Sequence, residues 1–347
     1  MKHQCPHTKE YLAGLQALST RAKVFESRQR IAEWVEHFGA DGCYVSFSGG
    51  KDSTVLLDLV RRDYPHIPVV FVNTGLEYPE VVQFVRTIEG VTWLKPNMPF
   101  RDVIEKYGYP VVSKEVSQYL YEYRTTKSDK LRCKRWNGDT NKYQSGKIPE
   151  KWKFLADAPF KIGYQCCDIM KKRPFKKYEK ATGRVGILGL MAADSQFRKQ
   201  AYIQKGCNAF ESNRPRSIPM AFWKEEDVWN YIRHYDLPYS DIYNKGYCNT
   251  GCAFCAFGCH LDQKNKFQTM KETHPKLHEY CMGELGLRDV LAYCNIPTEP
   301  DNYKQELMGW LQTLNKEPSH EQSIGKNSLP DRKEKNIPAG AELHRRA

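Results

Sequence analysis

The sequence predicts an α/β protein with a doubly wound, mostly parallel sheet and a helical, cysteine-rich C-terminal part. Three observations predict it. Between residues 43 and 96, short β-type runs alternate with helical patterns in the order β-α-β-α-β, which needs a parallel sheet with crossover helices. The run "IPVVFVNTG" (67–75) has almost no polar residue, as expected of a strand covered on both faces. Finally, 40% of the 347 residues are hydrophobic, enough for a sizeable core, yet no apolar run reaches membrane-spanning length.

Taken in order, Thr8 to Phe38 reads as helix, with Leu12, Leu15, Leu18, Val24, Ile31, Trp34 and Val35 as inner positions. "FGADG" ends it. "CYVSFS" is a β run, and "DSTVLLDLVRRDY" has helical character. "YPEVVQFVRTIE" suits a helix and "VTWLKP" a third strand. The stretch 127–153 is polar and rich in Lys, Asn and Gly, and reads as a long loop or insertion. "RVGILGL" (184–190) is a further strand. "KEEDVWNYIRHY" (224–235) is a helix whose Val228, Trp229 and Ile232 form a core stripe. These readings divide the chain into an N-terminal helical segment (1–39), a nucleotide-type domain (40–262), a helical extension (263–314) and a polar tail (315–347) expected to be disordered.

The formal net charge is +12, with 41 acidic residues interspersed among the basic ones. That balance suits either an anionic partner, such as a nucleotide or nucleic acid, or an ordinary solvated surface. The N-terminus lacks the apolar stretch of a signal peptide, so the expectation is a cytoplasmic protein with no membrane association. Twelve cysteines in a reducing compartment point to metal ligation or thiol chemistry rather than disulfides.

"SFSGGKDS" carries the first site. The strand ends at Phe47, and Ser48, Gly49 and Gly50 make the turn into a helix. Glycines let backbone N–H groups approach an anion, and the helix dipole adds to the attraction. Lys51 supplies a cation, Asp52 a cap or a metal ligand, and Ser53 a hydroxyl for a phosphate oxygen. Neither the Walker nor the Rossmann glycine pattern is present.

The cysteines carry the second site. Cys166 and Cys167 are adjacent in "YQCCDIMKKRPF", while Cys248, Cys252, Cys255 and Cys259 lie in "CNTGCAFCAFGCH". Thiolates at C-x-x-C spacing reach one metal centre from a tight turn. Cys5, Cys43, Cys207, Cys281 and Cys294 read as inert, and Cys133 is undecided in the polar stretch.

SGGKDS resembles the PP-loop of the adenine-nucleotide α-hydrolase superfamily. Three further segments are similar to the PAPS-reductase family within it: "VVFVNTGLEYPE" (69–80), "GILGLMAADSQFR" (186–198) and "IPMAFWKEEDVWNYIRHYDLPYSDIYNKGYCNTGCAFC" (218–255). The resemblance implies that Ser48 to Ser53 grip the pyrophosphate end of ATP or the equivalent part of a sulfonucleotide. It places Asn73, Thr74 and Gly75 near adenosine, and Ser195 and Arg198 at the nucleotide. Lys51, Asp52 and Ser53 are then the candidate catalytic residues, with Mg²⁺ expected if the ligand is ATP. In the APS-reducing branch a Cys-Cys pair and a later C-x-x-C hold a [4Fe-4S] cluster, which implies Cys166, Cys167, Cys252 and Cys255 here. A local set, Cys248, Cys252, Cys255 and Cys259, competes and suits Zn²⁺ or a cluster.

Two departures bear on the reaction. The family's nucleophilic cysteine lies in a C-terminal "ECGLH"-like motif, whereas this sequence ends "AELHRRA" and its last cysteine is Cys294. The family's arginine after Gly-Leu is Met191, which offers no fork for an oxyanion. Both shift the expectation from APS or PAPS reduction, which needs a thiol reductant protein, toward ATP cleavage to AMP and pyrophosphate in sulfur transfer. That reaction needs a sulfur donor and an acceptor, possibilities for which include a nucleic acid. A zinc-containing nucleic-acid-binding protein is the alternative from another class.

Overall fold

The fold was obtained as a computed structural model describing residues 7–139 and 145–299. Cys5, the expected helical stretch from 300 to 314 and the tail from 315 lie outside the described residues. The chain opens with helices α1 (Lys9–Ala17) and α2 (Thr20–Phe38), then strand β1 (Cys43–Phe47) and α3 (Lys51–Arg61). β2 (Val69–Val72), α4 (Pro79–Thr87), β3 (Val91–Leu94) and α5 (Phe100–Tyr107) complete the first half. A short β4 (Val111–Val112) leads into α6 (Lys114–Thr125) and α7 (Asp129–Asn137). After α8 (Arg173–Thr182) come β5 (Val185–Leu188), α9 (Gln196–Lys205), β6 (Asn208–Ala209) and β7 (Arg216–Ser217). α10 (Glu225–Tyr235), β8 (Ala256–Phe257), α11 (Lys266–Thr273), α12 (Pro275–Glu279) and α13 (Leu287–Tyr293) follow.

The main sheet has the order β3-β2-β1-β5-β7-β6. Every pairing is parallel except β6 with β7. β1 is central, with Val45 opposite Val69 on one side and Ile187 on the other. Successive residues of a strand face opposite ways. Tyr44 accordingly packs on Phe175 and Tyr178 of α8, while Phe47 meets Phe84 of α4. Both faces of the sheet are covered here, which is why β2 is apolar throughout and β1 apolar except at Ser46. Because the chain turns from β1 toward β2 and later returns to β5, a crevice opens at the C-terminal ends of these strands, where such sheets bind ligands.

The expected single N-terminal helix is two helices. Ser19 accepts from the Ala22 amide and caps α2, and the break leaves Leu18 exposed rather than inside. α2 is held to α10 by a buried ion pair, Lys23 to Asp227 at 2.6 Å. The polar stretch read as loop contains α7, started by the Ser128 hydroxyl on the Leu131 amide. No α7 residue is buried, so the helix has no apolar stripe to betray it in the sequence.

A second, two-stranded parallel sheet joins β4 to β8. Beside it Tyr109 bridges Ile162. Gly108 allows this: its φ is +97°, and a side-chain carbon there would meet the Lys161 carbonyl oxygen at 2.4 Å. Three segments distant in sequence, around residues 110, 165 and 255, are thereby brought side by side.

Candidate functional site

The phosphate loop is organised by its own hydroxyls. Ser53 Oγ donates to the Gly50 carbonyl at 2.8 Å and lies 3.0 Å from Ser48 Oγ, while the Ser48 amide donates to Ser53 Oγ at 3.2 Å. The Gly50 amide donates to Ser48 Oγ at 3.3 Å. Gly49 has φ +73°, and a side chain there would strike Val81 and Val85 of α4 within 2.8 Å. The loop therefore turns tightly against α4 and aims the start of α3 at the crevice, the arrangement that binds anions.

Lys51 is buried, its ammonium donating to the Cys248 carbonyl at 2.8 Å and pairing with Glu225 at 3.1 Å. Burial works to lower its pKa, but Asp52, Tyr243 and Glu225 outweigh it and hold the ammonium above its ordinary value. Asp52 behaves oppositely. Burial, reinforced by Asp194 and Glu225, pushes its carboxyl up to about 6 against the pull of Lys51 and Arg198. Its Oδ1 is buried with no hydrogen-bond partner. An unpaired, buried carboxylate oxygen beside a phosphate loop fits a Mg²⁺ ligand that the ion would satisfy.

The neighbouring strand ends supply two further walls. After β2, Asn73 Oδ1 accepts from the Gly75 amide at 2.9 Å, and the Thr74 amide and hydroxyl both donate to Glu77. After β5, the backbone at Gly189 lies against Asp52, and Met191 follows, 2% exposed. Ser195 caps α9 by accepting from the Arg198 amide at 3.2 Å, and the Arg198 guanidinium pairs with Asp194. The loop and the two strand-end segments singled out in the sequence thus lie together at the C-terminal ends of β1, β2 and β5. Tyr243, Thr250, Asp194 and Glu225 also face the loop. Asp194 belongs to the 186–198 segment and the other three to the 218–255 segment, but the resemblance read in those segments assigns none of the four a role.

Cys166, Cys167, Cys252 and Cys255 line one cavity, together with Thr74 and Lys171. Cys252 and Cys255 reach it on the turn before β8, and the cysteine pair at the start of the helical stretch that runs through a π-helical turn, Asp168–Lys172, into α8. Cys166 donates to Cys167, which with Lys171, Lys114 and Lys172 lowers the Cys167 thiol in spite of its burial. Cys166 is correspondingly raised, its bond to Cys167 being the largest cause and burial the next. Burial pushes Cys252 up to about 11. A thiol in that condition ionises once a metal cation compensates it.

The competing quartet is not brought together on this cavity. Cys248 is exposed, and Cys259 is buried with its thiol toward the Cys255 carbonyl. Among the described residues, no three His, Cys, Asp or Glu side chains converge closely enough to hold a single ion. A cubane cluster offers four separate irons, one per thiolate, so thiols spread around a cavity suit it better than they suit one zinc. Of the remaining cysteines, Cys281 and Cys294 are buried, and burial raises their thiols to about 12 and about 11. Cys43 and Cys207 are buried likewise, and Cys133 is exposed on α7.

Comparison with known proteins gives the family. Residues 42–102 and 120–257, more than half of the chain, match the family described as the phosphoadenosine phosphosulfate reductase domain. The chain is 23% identical over 261 residues to an adenosine 5′-phosphosulfate reductase of Lysinibacillus sphaericus (strain C3-41), covering 74% of this chain and 93% of that one. It is 24% identical over 232 residues to an uncharacterized protein of Methanocaldococcus jannaschii, covering 67% of this chain but only 44% of the relative. Among solved structures, a phosphoadenylyl-sulfate reductase from Candida auris aligns over 71% of this chain and 95% of that one at 16% identity, with a TM-score of 0.39. A U34-tRNA thiolase from Methanococcus maripaludis with its [4Fe-4S] cluster aligns over 77% and 78% at 14% identity, with a TM-score of 0.33. Both scores are too low to bear on the site. No helix among the described residues is long and apolar enough to cross a membrane. The extent of the family match, over the segments that build the phosphate loop, both neighbouring strand ends and all four cavity thiols, places this chain in the phosphoadenosine phosphosulfate reductase domain family.

Proposed function

We propose that this protein binds ATP at Ser48–Ser53 and cleaves it to AMP and pyrophosphate, activating an oxygen for replacement by sulfur. Cys166, Cys167, Cys252 and Cys255 would hold a [4Fe-4S] cluster. One observation carries the reading: the four thiols and Thr74 line the same cavity, so the thiol centre and the nucleotide crevice share a wall. When bound, the cluster would supply a site for carrying or positioning sulfur.

The chain's own residues account for the phosphate chemistry. The loop amides and Lys51 hold the pyrophosphate end and neutralise the charge that grows on it as it leaves. Asp52, ionised above about pH 6, is the carboxylate available to a magnesium ion. An acceptor oxygen attacks the α-phosphorus, the bond to the β-phosphate oxygen breaks, and pyrophosphate departs with the electron pair. A sulfur nucleophile then displaces AMP from the activated carbon. Sulfur comes from a donor protein in this scheme, and the +12 formal charge favours a nucleic-acid acceptor.

Met191 favours ATP over a sulfonucleotide. It is buried where the resemblance puts an arginine, and a thioether pairs with no sulfate oxygen. Similarity to adenosine 5′-phosphosulfate reductases favours a second reading, reduction of that sulfonucleotide to sulfite. That reaction needs a thiolate at the sulfate, and neither Cys281 nor Cys294 is suited to the role, being buried with raised thiols. Anaerobic incubation separates the readings. ATP should give pyrophosphate, and labelled adenosine 5′-phosphosulfate with thioredoxin should give no sulfite. Rapid sulfite release would reverse the assignment. Lys51→Ala should abolish pyrophosphate release.

A further inference from the structure

The phosphate loop is met by the protein's own oxygens; besides Glu225, which pairs with the Lys51 ammonium at 3.1 Å, they come from one short segment. The Lys51 amide, a free donor at the start of α3, donates to the Tyr243 hydroxyl at 2.8 Å. The Lys51 ammonium donates to the Cys248 carbonyl at 2.8 Å. The Thr250 hydroxyl lies so close over Gly50 that a side-chain carbon there would stand 2.5 Å from it, and 3.2 Å from the Tyr243 hydroxyl. Backbone amide, ammonium and glycine face are the three features that grip a phosphate. Here each faces an oxygen from residues 243–250.

An amide has one hydrogen, so a phosphate oxygen and the Tyr243 hydroxyl compete for it. We propose that Tyr243 is the gate of the phosphate cradle: its hydroxyl holds the place of a phosphate oxygen on the Lys51 amide and must leave before the pyrophosphate end of a nucleotide binds. This rests on the nucleotide reading given above.

The surroundings suit a segment that moves as a unit. The Tyr243 ring packs edge-on against Trp229, with centroids 5.3 Å apart, and Lys51 sits over it at 5.2 Å. Lys245 ties the segment to Glu80 of α4, and Gly246, with φ +84°, ends the turn. Cys252 follows shortly after, inside the thiol cavity. Withdrawal of Tyr243 therefore displaces the stretch that leads into two of the four candidate cluster ligands, and nucleotide entry is felt at the thiol centre.

The test is calorimetric titration of the full chain with inorganic pyrophosphate and with ATP. Tyr243→Phe keeps the ring and its packing but removes the competing oxygen. It should tighten pyrophosphate binding about fivefold, the worth of one net hydrogen bond. Thr250→Val, which removes the hydroxyl standing over Gly50, should shift it in the same direction. Wild-type titrations should change tryptophan emission, and Trp229→Phe should remove most of that change. Unchanged or weaker binding by Tyr243→Phe overturns the gate, weaker binding making the hydroxyl a ligand instead. An unchanged emission on saturation also overturns it. Absence of binding by wild type and both variants overturns the nucleotide reading itself, and the gate with it.

Discussion

The Ala253 amide donates to the Leu76 carbonyl at 2.8 Å. That bond fastens the turn carrying Cys252 and Cys255 to the turn after β2, whose Thr74 lines the thiol cavity. A nucleotide bound against Asn73–Gly75, as proposed above, would thus press on the segment that positions two thiols.

The first prediction concerns which thiols ligate. Cys166→Ala and Cys252→Ala should each lose most of the iron and sulfide found in anaerobically purified wild type, about four of each per chain. Cys248→Ala and Cys259→Ala should keep them. Iron and acid-labile sulfide analysis decides. Retention in Cys166→Ala with loss in Cys259→Ala would move the centre to the local quartet.

The second concerns the nucleotide. Met191→Arg should tighten binding of adenosine 5′-phosphosulfate about tenfold relative to ATP, the gain from one charge-assisted contact to an oxyanion. Asp194, already paired with Arg198 nearby, gives the new guanidinium a partner when no ligand is bound. Competition binding of the two nucleotides measures the ratio. An unchanged ratio would mean that Met191 does not select the ligand.

Much of this site was readable because its physics is local. The central strands announce themselves as apolar runs, and the phosphate loop as glycines between a strand and a helix. The thiol set was different. Spacing alone leaves the local set Cys248, Cys252, Cys255 and Cys259 in competition, and only the family resemblance points to Cys166 and Cys167, since nothing local brings residue 166 to residue 252. Only the β4–β8 ladder and the Tyr109–Ile162 bridge do so, and these are two-residue and one-residue pairings with no sequence signature. α7 escaped notice because it buries nothing, and the break at Ser19 because apolar residues continue past it. Tyr243 reaches Lys51 across 192 positions, a contact that no local pattern encodes.

A third prediction follows from Asp52. Its carboxyl titrates at about 6 in the fold against an ordinary 3.8, so the folded chain holds the proton more tightly than the unfolded chain. Stability contributed by this group is therefore lost as pH rises from about 4 to about 6, and is level above that. Asp52→Asn removes the buried charge. The ligand-free variant should exceed wild type by roughly 3 kcal/mol at about pH 8, and the gap should close near about pH 4. Urea unfolding of both proteins at the two pH values checks it. A gap independent of pH would show that Asp52 does not titrate as described.

The last prediction tests what holds the N-terminal helices to the nucleotide domain. Lys23 and Asp227 are both buried, 2.6 Å apart, and join α2 to α10. Asp227 also accepts from the Lys224 amide at 2.8 Å and the Thr20 hydroxyl at 3.2 Å, so it caps α10 while it pairs. Lys23→Met keeps the length of the side chain but leaves the carboxylate without a cation. The cost should be about 3 kcal/mol, the low end for an orphaned buried charge, because those two hydrogen bonds persist. Adding Asp227→Asn removes the charge while keeping an oxygen for the Lys224 amide, and should restore more than half of the loss. The double variant would then be more stable than the single one, which simple loss of packing at Lys23 does not produce. Urea midpoints for the two variants and wild type give the answer. Equal stability of single and double variants would show that the ion pair contributes through contact rather than charge.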